Sequence, residues 1–94
     1  MAVYVVTWNL NKEGSRYEQA RREFITHLER YEHVTDSGLE TVRWISTPDS
    51  PNQISDYLLQ KMDDNDRLFV SKLNRGEHQG RLSKSTWEWI NARL

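Results

Sequence analysis

The chain predicts an α+β fold, a ferredoxin-like βαββαβ sandwich with an added C-terminal helix. Three observations carry this reading. Runs of β-branched and aromatic residues open the chain, flank a turn near its middle, and return after an aspartate-rich break. Two stretches between those runs carry apolar residues at three- and four-residue spacing, and a third follows the last run. The order strand, helix, strand, strand, helix, strand is that of a split βαβ sandwich, in which two helices cover one face of a four-stranded antiparallel sheet. The other face then needs cover from the last helix, a partner or a second subunit.

Residues 3–8, with Val3, Val5, Val6 and Trp8, read as a central strand. Asn11-Lys12-Glu13-Gly14 is a turn, after which Ser15 opens a helix and Glu18 completes a capping box. Tyr17, Ala20, Phe24, Leu28 and Tyr31, with Ile25 beside them, make one stripe of a helix of about four turns. Arg16, Arg21, Arg22 and Arg30 on its wet side are matched by Glu18, Glu23 and Glu29, and Glu18 precedes Arg22 by the favourable four residues. That side reads as a solvated ion-pair face. Residues 33–36 form a short strand, Asp36-Ser37-Gly38 a turn, and 41–47 a partly alternating strand, so the pair is a hairpin that Pro48 ends. Ser50, Pro51 and Gln53 are a strong helix start. Ile54, Tyr57, Leu58 and Met62 form the buried face of that second helix, and 63–66 break it. Residues 67–73 are the last core strand and 74–80 a polar loop. Ser85 and Glu88 then cap a terminal helix whose inward face is Trp87, Ile90 and Leu94, with Trp89 to one side.

Ninety-four residues make one domain, 1–94, able to bury roughly 60–68% of its unfolded surface. Cysteine is absent, which removes disulfides, thiolate nucleophiles and zinc–thiolate sites and fits a reducing compartment. No leader pattern and no long apolar run is present, so a cytoplasmic protein without membrane contact is expected. The formal net charge of −1 exerts no general pull on nucleic acid, but charge is unevenly distributed. Residues 49–66 hold five aspartates against Lys61 alone, whereas 67–94 hold six bases against Glu77 and Glu88. A basic patch and a pairing of opposite charges between elements or subunits both fit that asymmetry.

Candidate chemistry is sparse. The first strand ends at Asn9, an open and rigid position in folds of this kind. Asn9 and Asp66 are weak catalytic candidates, although Asn9 and Asn11 equally suit a turn. Asp63, Asp64 and Asp66 could hold Mg²⁺ or Ca²⁺, but they lack the glycine and distal glutamate of an EF-hand and suit a plain turn as well. His27, His33 and His78 show no metal-ligand spacing, and neither a nucleophile elbow nor a phosphate-binding glycine loop is present. Lys72, Arg75, Arg81 and Lys84, with Trp87 or Trp89 nearby, are the nucleic-acid or partner contacts the sequence offers; Trp87 is in phase with the core position Ile90, so Trp89 is the indole taken with them, and bases interleaved with an exposed indole suit either a strand's backbone or a protein interface.

Three segments in the same order resemble a family. They are Val5-Val6-Thr7-Trp8-Asn9-Leu10-Asn11-Lys12, Asp63-Asp64-Asn65-Asp66-Arg67-Leu68-Phe69-Val70, and Leu82-Ser83-Lys84-Ser85-Thr86-Trp87-Glu88-Trp89-Ile90. Together they are similar to the small bacterial and phage proteins called SinR-like, relatives of the second CRISPR-associated (Cas) protein family and of VapD. The resemblance implies a ferredoxin-like homodimer that pairs its sheets. In the CRISPR-associated relatives it also implies a metal-dependent nuclease or an architectural role on DNA. Those nucleases place a metal-binding aspartate at the end of the first strand, where this chain has Asn9, an amide without charge.

The expected function is therefore a non-catalytic or weakly catalytic SinR-like binding or assembly module. It would need no cofactor, and would act with protein partners or on nucleic acid. Two alternatives stand beside it. One is a metal-dependent endoribonuclease of toxin type, using Mg²⁺ or Mn²⁺ on Asp63, Asp64 or Asp66. The other is a phage- or plasmid-borne inhibitor of a host protein.

Overall fold

The computed structural model describes residues 1–11 and 16–94. Its elements are β1 (Ala2–Asn9), α1 (Tyr17–Leu28), β2 (Glu32–Asp36), β3 (Leu39–Thr47), α2 (Pro51–Leu59), β4 (Arg67–Lys72) and α3 (Lys84–Arg93). The strands form one antiparallel sheet in the order β2-β3-β1-β4. Each β-α-β unit thus skips one strand, which is the expected ferredoxin-like arrangement with α3 added.

The pleat of β1 divides the interior. Tyr4, Val6 and Trp8 point to one face and pack with Phe24 and Leu28 of α1, Ile54 and Leu58 of α2, and Ile45 of β3. Val3 and Val5 point to the other, against Trp44, Leu73 and Ile90. A strand covered on both faces carries an unbroken apolar run, and this is why residues 3–6 do not alternate. α3 lies on the second face over the row Val34–Trp44–Val5; in the next row, Val42–Thr7–Phe69, Val42 still packs against that cluster and Phe69 at the far end is exposed. Phe69 on the edge strand β4 is 62% exposed and Leu39 is 40% exposed.

Local signals behaved unequally. Ser50 caps α2 as expected: its hydroxyl accepts from the Gln53 amide at 3.1 Å, and the Gln53 side chain accepts from the Ser50 amide at 2.8 Å. The Asp36 turn also forms, its carboxylate accepting the Gly38 amide at 3.0 Å. The Ser15 cap lies outside the described residues. α1 ends at Leu28, and Tyr31 sits beyond it in a tightened turn closed by the Tyr31 amide on Leu28 O at 3.1 Å.

Two expectations are corrected. α3 is preceded by Ser83, not capped by Ser85, and Glu88 makes only a 4.0 Å pair with Lys84. Asp36, at the end of β2, takes over the cap: its Oδ2 accepts the Ser83 amide at 2.8 Å and lies 3.1 Å from the buried Thr86 hydroxyl. A carboxylate brought from 47 residues away supplies a stronger acceptor than a local serine. The amides of Ser83 and Gly38 hold the Asp36 carboxyl below the usual carboxylate range. Among the described residues the ion-pair face of α1 is not built either. Glu29 turns to Arg43 at 3.1 Å and His33 at 3.6 Å, and among the described residues Arg22 and Arg30 have no ion-pair partner. Arg43 is buried, with its guanidinium 5.3 Å from the Trp8 ring, and a buried cation draws the nearest carboxylate.

Candidate functional site

The end of β1 places Asn9 opposite Arg67 of β4, exposed beside a shallow depression of about 220 Å³ that Phe69 and Thr7 also line. Asp66 lies nearby but faces inward and is 8% exposed. One of its oxygens accepts the Asn11 amide at 2.8 Å and the other the Asp63 amide at 3.0 Å. The carboxylate therefore ties the exit of β1 to the turn between α2 and β4. Asp63 accepts the Asn65 amide at 2.9 Å, an Asx turn, while Asp64 is exposed. No group of three or more histidines or carboxylates among the described residues is arranged to hold a metal ion.

The basic contacts divide between the two faces. Lys72 sits opposite Tyr4 and so lies on the side of α1 and α2. Arg75 and Arg81 lie on the second face, at two adjoining concavities of about 370 and 330 Å³ that share His78, Gln79 and Trp87. The first is polar. The second runs as an apolar groove between the sheet and α3, floored by Val5, Trp44, Leu73 and Ile90. Lys84 stands at the start of α3, 93% exposed. Trp89 points the other way, with the Arg93 guanidinium 4.1 Å from its ring centre and donating to Glu32 at 3.2 Å. The indole that meets the bases is Trp87, which the helical pattern assigned to the core. Trp87, Trp89 and Leu94 are all half-buried, and Thr86 and Ile90 are the positions of α3 that are fully covered.

The histidines do not converge. His27 is buried between the two helices. Its Nε2 donates to Tyr57 O at 2.8 Å, its ring stacks on Tyr57 at 3.7 Å, and the Tyr57 hydroxyl donates to His27 O at 2.9 Å. His33 Nδ1 donates to Tyr31 O at 2.9 Å on that same side. Tyr31, whose hydroxyl donates to Asp49 at 3.4 Å, is pushed up to about 12 by burial and by the Asp49 charge. His78 alone is on the second face, its ring 6.1 Å from Trp87 and tilted by 22°. Sequence reasoning missed Arg43 and set His78 aside for want of metal-ligand spacing. An arginine inside an otherwise apolar strand was the available signal for the first, and the second had none, because the loop that carries it is placed by tertiary contacts.

Chemically, the second face offers cations beside partly open aromatic and apolar surface, and the end of β1 offers an amide next to a carboxylate already engaged by main-chain donors. No protein-family model matches the chain, and neither curated proteins nor solved structures yield a match.

Proposed function

We propose that the chain is a non-catalytic binding module of the SinR-like kind that holds a single-stranded nucleic acid across its second sheet face. The observation that carries this reading is the grouping of Arg75 and Arg81 around His78 and Trp87. Cations track a phosphate backbone and aromatic faces take bases, with little dependence on sequence. Segregation of charge supports it. The acidic segment 49–66 belongs to α2 and its following turn on the first face, so it does not oppose a polyanion on the second. Asp66 weighs against hydrolysis by a metal, since transfer of its oxygens to a cation would strip two main-chain amides of their acceptor. No cofactor enters this reading. The exposed Phe69 on the edge strand β4 serves as the contact between two copies of the chain.

Fluorescence anisotropy with labelled single-stranded RNA and with duplex DNA, at low and at physiological salt, tests the proposal. Salt-sensitive binding of the single strand is expected, without cleavage in Mn²⁺ on a denaturing gel. Arg75→Ala and Arg81→Ala should each reduce the salt slope by about 1. Absence of binding at low salt overturns it, as does Mn²⁺-dependent cleavage. Light scattering of Phe69→Ser, expected as a monomer where the parent is a dimer, tests the self-contact.

A further inference from the structure

Trp87 and His78 form a different kind of ring pair from the other near-parallel pair in the molecule. His27 and Tyr57 are closed, with centroids 3.7 Å apart and planes within 15°. His78 and Trp87 are nearly as parallel, at 22°, but their centroids are 6.1 Å apart. At that separation the imidazole does not close over the indole as His27 closes over Tyr57. Two layers of carbon contact at about 3.5 Å each would need about 7 Å, so a flat ring enters after a small outward turn of the imidazole, or stacks on the indole beside it.

The surroundings are built to hold this geometry. His78 Nδ1 donates to Asn74 O at 3.0 Å, and the Glu77 amide closes the same turn on Asn74 O, also at 3.0 Å. Gly76, with φ of +79°, supplies the left-handed residue that turn requires. On the other wall, Trp87 is carried by α3 and packs against the buried Val3, Trp44, Leu73 and Ile90. Between the walls lies the concavity of about 370 Å³, within the size range of small-ligand sites. The Gln79 and Asn91 amides line it, both able to donate and accept, with Leu94 beside them, and among the described residues no acidic side chain does. Arg75 donates to the main-chain oxygen of Leu94, which holds its guanidinium at the rim with further N–H groups still to offer.

We infer that this concavity receives one unpaired nucleobase, stacked on Trp87 and edged by His78, with Arg75 and Arg81 on the flanking phosphates. The inference rests on the nucleic-acid reading above and narrows it to a single base site. It also requires an unpaired strand, since a base inside a duplex has no free face to give.

The test compares binding of a labelled single-stranded oligonucleotide, as RNA and as DNA, with binding of a strand of equal length and charge that carries abasic positions. The proteins are the parent, Trp87→Leu, Trp87→Phe and Trp89→Leu. Trp87→Leu should weaken binding about 5- to 100-fold, Trp87→Phe should keep most of it, and Trp89→Leu should leave it unchanged. The abasic strand should bind the parent as weakly as the intact strand binds Trp87→Leu, an arm that does not depend on any variant folding. Equal binding of intact and abasic strands by the parent overturns the base site while leaving nucleic-acid binding in place. A loss in Trp89→Leu matching that in Trp87→Leu likewise overturns it. Failure of every oligonucleotide to bind at low salt removes the functional proposal and the base site together.

Discussion

Replacing Asp66 separates a structural carboxylate from a metal ligand, because the two roles predict opposite behaviour in metal-free buffer. The side chain is 8% exposed and accepts the Asn11 and Asp63 amides at 2.8 and 3.0 Å. Hydrogen bonds to a charged acceptor contribute about 1.5–3 kcal/mol each, so the pair contributes about 3–6 kcal/mol at most. Both amides belong to loop residues at the surface, where water replaces part of the lost bonding, and about 2–3 kcal/mol is the expected cost of Asp66→Ala. For a domain of this size each kcal/mol shifts the melting temperature by roughly 4–8 °C, so a fall of about 8–24 °C is expected. Asp66→Asn keeps one acceptor oxygen and should lose about half as much. Thermal melts by circular dichroism in EDTA, with and without later addition of Mn²⁺, provide the assay. A melting temperature for Asp66→Ala equal to that of the parent in EDTA, with a Mn²⁺-induced rise seen only in the parent, would refute the structural assignment and return Asp66 to the metal-ligand reading.

The other predictions concern the remaining anchors. Ile90, fully buried between α3 and the sheet, should cost about 2–5 kcal/mol on change to Ala, and near-UV circular dichroism should show the tryptophan signals weakened before the far-UV signal falls. Asp36 has its carboxyl lowered by the Ser83 and Gly38 amides. Its contribution is complete above the ordinary carboxylate value and is lost as pH falls through the lower value of the folded state, so Asp36→Asn should be less stable than the parent at pH 7 and equal to it in strong acid, as denaturant midpoints across that range would report. Tyr31 is raised to about 12, so the folded state keeps its proton where the unfolded chain gives it up. Stability should therefore decline between about pH 10 and 12, and ultraviolet titration should find a late-ionising component that is lost in Tyr31→Phe.

How much could be read from the chain differs between the fold and the site. Element type and order were legible because they depend on local periodicity. Ser50 with Pro51 and Gln53, and Asp36 with Gly38, formed the turns and caps that their spacing announces, since each needs only neighbours in sequence. The cap of α3 was not legible, because Asp36 reaches it from another element and a local serine competes poorly with a carboxylate. The stripe of α1 was correct, but its charge pairs were not: a buried Arg43 on β3 claims Glu29. At the site, Arg75 and Arg81 were named from sequence and border adjoining concavities, with Trp87 beside them while Trp89 lies against Arg93. Helical phase alone puts Trp87 inward and Trp89 outward. The loop carrying His78 and the cation of Arg93 decide which indole keeps an open face.

The sequence by itself determined the elements, their order and the apolar faces they bury, because strand and helix periods are set by backbone geometry that every neighbour in the chain shares. Only the tertiary structure decided that Asp66 ties a turn, that Asp36 caps a distant helix, and that Phe69 is left exposed on the edge strand. Each of these depends on which groups meet after the sheet closes. A polar side chain takes the strongest partner within a few ångströms, and distance in space is not written in distance along the chain.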